Sequence, residues 1–169
     1  MTREILFRGK RVDNGEWVEG YYSPVNIPIT GNMGHFINVG GYRAVEIDPE
    51  TVSQFTGLCD KNGVKIFEGD IIKWRDSTEL SVGGQIAEVC FGKYRDAESV
   101  FDDIYPLGFY IRFSDKNCVT ISWLDEYKNY FDIIGNIHDN PELLEVNSDE
   151  RKSNTAEHTA KMVWAYRKR

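Results

Sequence analysis

Two Asn-Gly dipeptides, Asn14-Gly15 and Asn62-Gly63, each set between apolar or aromatic runs, constrain this chain more than any other feature. Asn-Gly supplies at little cost the positive φ values that a tight hairpin demands, so each predicts two antiparallel strands joined by a short turn. The opening stretch EILFRGKRVDNGEWVEGYYS reads as the first hairpin. FTGLCDKNGVKIFEGDIIKW, residues 55–74, supplies the second, and its third glycine, Gly69, interrupts an apolar run before Asp70. A glycine inside a strand pattern marks a bulge or a bent-sheet corner. Gly57, Asn62, Gly63, Gly69 and Asp70 are therefore expected to serve as turn and corner residues, their charged neighbours solvated.

Between the hairpins, the segment from Pro24 to Gly41 holds two prolines and four glycines with little charge, which predicts a long loop containing one short strand near residues 35–39. Residues 42–47 alternate like a strand. DPETVSQFTG then predicts a two-turn helix over residues 49–56. Asp48 can accept its free N–H groups, Pro49 fits the first position and Glu50 suits the positive end of the dipole. Val52 and Phe55 would face the core, and Gly57 would close the helix in a left-handed conformation. Further strands are predicted at residues 85–91, 109–113, 118–123 and 131–137, with Asp115-Lys116-Asn117 as a turn. RDAESVFDDIYP reads as a charged connection with a helical turn in its middle, and a short helix over residues 141–145 starts from Asn140 and Pro141. About eight strands against two short body helices predict a mainly β fold: a bent sheet forming a small, partly open barrel or a sandwich.

A length of 169 residues suits one core, expected over residues 1–146, followed by a polar linker and a basic amphipathic tail over residues 147–169. The tail places Ala156, Ala160 and Trp164 on one helical face, and Trp164, Tyr166 and Arg167 are its candidate interaction residues. Its charge opposes that of the body. Residues 1–150 hold 14 Lys/Arg against 26 Asp/Glu, whereas residues 151–169 hold 6 against 1. Such a tail would attract nucleic acid phosphates or the acidic body of another copy. No run approaches the ~20 apolar residues that span a bilayer, so no membrane association and a cytoplasmic location are expected.

The chemistry-bearing residues form no recognised constellation. Asp60, Lys61, Glu68 and Asp70 could pair carboxylates for acid–base work, but hairpin and corner geometry explains them better. Neither a lone Glu68/Asp70 pair nor the dispersed Cys59, Cys90 and Cys118 matches a metal site, and the cysteines read as small buried hydrophobes. His35, His138 and His158 adjoin no nucleophile motif, and no phosphate-binding glycine loop is present. Neither a catalytic residue nor a cofactor is expected. The aromatic content, 13% of the chain, suits a core more than a base-stacking surface on so acidic a body.

REILFRGKRVDNGEWVEGYY, IDPETVSQFTGLCDKNGVKIFEGDII and IIGNIHDNPELL stand in this order between residues 3 and 144. In these three stretches the chain resembles the YopX family of phage and prophage proteins of low-GC Gram-positive bacteria. The resemblance implies a phage setting and carries over no activity, cofactor or catalytic residue. The expectation is a non-enzymatic accessory protein that binds another protein or its own copies as a homo-oligomer. The alternative is a nucleic-acid-binding module using the basic tail and an aromatic strand face.

Overall fold

The computed structural model describes residues 4–27, 31–76, 82–96, 105–113 and 116–145. The C-terminal helix expected in the tail, with Trp164, Tyr166 and Arg167, lies outside the described residues, as does the middle of RDAESVFDDIYP. Eleven strands in two antiparallel sheets are described, a mainly β architecture as predicted. The described residues of Met1–Leu58 and Lys65–Glu68 form one compact unit, and those of Cys59–Val64 and Gly69–Arg169 the other.

The first unit carries β1 (Phe7–Lys10), β2 (Trp17–Ile27), β3 (Asn32–Asn38), β4 (Ala44–Glu46), β5 (Ser53–Cys59) and β6 (Lys65–Phe67), in the sheet order β4-β3-β2-β1-β5-β6. The predicted first hairpin is there, closing on Lys10 opposite Trp17, and of its Asn-Gly pair only Gly15 takes a positive φ. Beyond it the sheet curls. Ile47 N–H donates to the His35 carbonyl at 2.9 Å and Asp48 N–H to that of Lys10 at 2.8 Å, while Arg11 bridges Ile47. The end of β4 thus returns to the end of β1, and Ile37 and Ile47 are sealed inside. Two glycines admit the curl: a Cβ at Gly9 would meet Ile47 Cδ1 at 2.9 Å, and one at Gly20 would meet the Asn38 carbonyl oxygen at 2.0 Å.

Two sequence expectations fail in this unit. Within the expected Pro24–Gly41 loop, the strand foreseen near residues 35–39 is part of a longer β3, and β2 runs through Pro24 to pair with it from Tyr21 opposite Asn38 to Ile27 opposite Asn32. The two-turn helix over residues 49–56 is a single 3-10 turn, Pro49–Thr51. Its start is as expected, since Asp48 accepts from Glu50 N–H at 3.0 Å and Pro49 takes the first position. Sheet pairing then overrides helix propensity. Val52 turns extended, Ser53 and Gln54 pair with β1, and Phe55 packs with Leu6 and Phe67. Gly57 therefore closes no helix; it lies within β5 at φ +90°.

The second unit carries β7 (Asp70–Trp74), β8 (Ile86–Lys93), β9 (Leu107–Phe113), β10 (Cys118–Thr120) and β11 (Phe131–Asn136), ordered β10-β9-β8-β7-β11. Two short helices accompany them, α1 (Ser122–Glu126) and α2 (Glu142–Glu145). The strand expected over residues 118–123 stops at Thr120, because Trp123 and Leu124 enter the core from α1. Trp74 is wholly buried, and its ring lies 5.6–6.5 Å from those of Phe113, Trp123, Tyr127 and Phe131.

β7 begins at a corner set by Gly69, which is buried with φ +78°. Its N–H donates to the Val89 carbonyl at 2.8 Å and its carbonyl accepts from Ile137 N–H at 2.9 Å. A branched side chain disfavours that backbone, and the hydrogen bonds on both sides leave little room to relax. Gly69→Val is expected to lower stability by about 2 kcal/mol and Gly63→Val, at φ +82° on an exposed tip, by about 1 kcal/mol. Thermal melts would show both, and undiminished melting temperatures would refute the corner assignment.

Candidate functional site

Residues 20–42 contain no Asp, Glu, Lys or Arg, in a chain of which 28% is charged. The described part of this stretch builds an arm. The pairing of β2 with β1 ends where Gly20 meets Phe7, so from Tyr21 onward β3 is the neighbour recorded for β2. Strand alternation puts Tyr21, Ser23 and Val25 on one face, opposite Asn38, Phe36 and Gly34. Tyr21 is 59% exposed and Val25 47%. The reverse face packs inward near β1, where Ile37 is buried, the Tyr22 ring lies 5.6 Å from that of Phe7, and the Tyr22 hydroxyl stands 2.5 Å from His35 Nδ1, while farther out Met33 is 53% exposed. At the β3–β4 turn, Gly40 and Gly41 both take positive φ and Tyr42 projects fully into solvent.

Pro24 has a definite place in this arm. Its partner His35 directs its carbonyl to Ile47 N–H, away from β2, so Pro24 and His35 form a non-hydrogen-bonded pair. The ring nitrogen of Pro24 consequently points to the outer edge, where a donor would otherwise invite another strand. No ladder bond to β3 is lost.

The acid–base candidates are dispersed among structural duties. Asp60 organises the second hairpin tip, its Oδ1 accepting from the N–H groups of Asn62 and Val64 at 2.8 Å each. Asn62 also donates from Nδ2 to Asp60 Oδ2 at 3.3 Å, and Lys61 Nζ lies 3.3 Å from Asp132, which Arg75 also grips. Asp70, expected to be a solvated corner residue, is 2% exposed and pairs in register with Asn136. That correction follows from Gly69 turning the chain inward. Asn136 in turn accepts from His138 N–H at 2.9 Å and Asp139 N–H at 3.0 Å, so the GNIHDN stretch is a self-bonded turn beside Asp70. Among the described residues no group of three or more His, Cys, Asp or Glu could hold a metal ion.

One group of strand aromatics, Trp17, Phe55 and Phe67, packs against cations. Arg8 stacks 4.7 Å from the ring centres of both Trp17 and Phe67, and Lys65 stands 6.0 Å from Phe55 while pairing with Glu19. Phe55 and Phe67 are buried and offer no face to a nucleobase, whereas Tyr21 and Phe91 are exposed on their strands.

The cysteines divide by environment, contrary to the expectation that all three are buried. Cys59 is exposed, Cys118 half-buried and Cys90 buried. Burial, then the Glu88 charge, pushes the Cys90 thiol up to about 12, and burial pushes the Tyr110 hydroxyl to about 12. Alkylation at pH 8 is expected to modify Cys59 first and Cys90 last, and equal rates by mass spectrometry would refute this. Because both folded values exceed the ordinary 9.0 and 10.0, stability is intact below pH 9 and falls from there toward 12, where only the unfolded chain releases these protons. Cys90→Ala should flatten that fall.

A family model described as "YopX protein" matches residues 6–145. No curated protein matches the chain. Among solved structures, the crystal structure of protein EF1440 from Enterococcus faecalis is similar at 24% identity and a TM-score of 0.44, covering 85% of this chain and 99% of that one.

Proposed function

The chain belongs to the YopX family, and on that premise we propose that it is a phage or prophage accessory protein that acts by binding protein and catalyses nothing. The observation that supports this reading is the arm, a strand pair and turn without Asp, Glu, Lys or Arg, presenting Tyr21 and Val25 from β2 and Tyr42 from the turn to solvent. Centres of protein interfaces are depleted in charge and enriched in aromatic anchors. Host-cell proteins retained by the full chain would be compared with those retained by a Tyr21→Ser, Tyr42→Ser variant. The reading expects specifically retained proteins to be lost with the variant; an identical set would overturn it.

The basic tail sustains a second reading, nucleic acid binding, by its 6 Lys/Arg against 1 Glu over residues 151–169. Fluorescence titration at low salt with single- and double-stranded DNA and RNA tests it. Absence of binding there, where phosphate attraction is strongest, ends that reading.

A further inference from the structure

The two Asn-Gly tips share a dipeptide and are equally exposed, yet their asparagine side chains are held in opposite senses along the chain. In the first hairpin the Asn14 amide folds forward over its glycine: Asn14 Oδ1 accepts from Glu16 N–H at 3.0 Å, and Asn14 Nδ2 donates to Glu16 Oε2 at 2.8 Å. An oxygen that reaches the N–H two residues on closes a ring around the intervening peptide, which sets Cγ against the Gly15 nitrogen. In the second hairpin the Asn62 amide turns back. Its Nδ2 donates to Asp60 Oδ2 at 3.3 Å, and the N–H two residues beyond it, that of Val64, is taken by Asp60 Oδ1 at 2.8 Å. Asn62 Cγ is thereby drawn away from the Gly63 nitrogen. The glycine nitrogens themselves do not distinguish the tips, since Gly15 N–H donates to the Arg11 carbonyl at 3.0 Å and Gly63 N–H to that of Asp60 at 3.1 Å. Crowding does not either, because a Cβ at each glycine would meet nothing within 4 Å.

We infer that Asn14 is a site of spontaneous deamidation and that the fold protects Asn62. The Gly15 nitrogen bonds to Asn14 Cγ while the Cγ–Nδ2 bond breaks; the proton of Gly15 N–H leaves with Nδ2 as ammonia, and a cyclic imide remains. Glu16 N–H stabilises the negative charge that develops on Oδ1 during the attack, from a position fixed beforehand. Water then opens the imide at either carbonyl, giving aspartate or its β-linked isomer, in which a side-chain carbon has entered the main chain. Either product adds a carboxylate beside Asp13 and Glu16. The β-linked one also lengthens the turn that sets Lys10 opposite Trp17.

The full chain, incubated at pH 8, reports both sites in one sample when its peptides are followed by mass spectrometry for the change from amide to acid. Asn14 is expected to convert at least about fivefold faster than Asn62, the effect of about one ordinary hydrogen bond on the attack. In concentrated urea, where neither tip is folded and the shared dipeptide acts alone, the ratio should fall close to one. Equal rates in the folded chain, or faster conversion at Asn62, overturn the assignment. A ratio that urea leaves unchanged overturns it as well, because the difference would then lie in the flanking residues and not in the fold.

Discussion

Gly20→Ala is expected to destabilise the first unit by at least about 4 kcal/mol, the exceptional tail of single substitutions. The added methyl would stand 2.0 Å from the Asn38 carbonyl oxygen, 2.8 Å from its carbon and 3.0 Å from Ile37 Cγ2. The first two atoms are main chain of β3 and cannot rotate aside. β3 would have to lift from β2, opening the ladder that starts where Tyr21 meets Asn38 and exposing Ile37. Gly9→Ala is the informative contrast. There the obstacle is the Ile47 side-chain tip at 2.9 Å, which can turn, so a cost of about 1–2 kcal/mol is expected. Urea denaturation followed by circular dichroism would compare the two, and a Gly20→Ala chain within 1 kcal/mol of wild type would sink the close-approach explanation.

The second large effect belongs to Trp74. Replacing it by Ala removes a fully buried indole from among four rings and is expected to cost about 3–5 kcal/mol, through lost transfer energy and the cavity left behind. Trp74→Phe should cost much less. The indole N–H finds no acceptor among the described residues, so Phe keeps much of the packing while removing a buried polar group. The same denaturation experiment decides, and similar losses for Ala and Phe would show that packing around this ring is not what holds the second sheet.

The mainly β class was legible because its signals are local: Asn14-Gly15 and Asn62-Gly63 announce hairpins, and Gly69 announces a corner, each within a few residues. What the sequence concealed depends on partners far along the chain. Residues 49–56 carry a correct helix start, but Gln54 meets Phe7 across the sheet, and a local cap cannot outweigh that pairing. Trp123, Leu124 and Tyr127 have helical spacing that the preceding β-branched run masked. The arm is hidden in the sequence because two prolines and four glycines suggest a loop, although Pro24 fits a strand that pairs on one side. A better signal was present there: the complete absence of charge over residues 20–42. Gly9 and Gly20 could have been suspected as glycines within strand patterns, but the backbone each admits could not be named from sequence.

The main chain passes from the first unit to the second after Leu58, back after Val64, and over again after Glu68. Neither unit is therefore one uninterrupted piece of gene. A recombination event between positions 58 and 69 would hand a descendant one unit without β6 or without its hairpin tip. Exchange would preserve this fold only when it moves the whole block, and it is as one block, residues 6–145, that the family pattern runs through the chain.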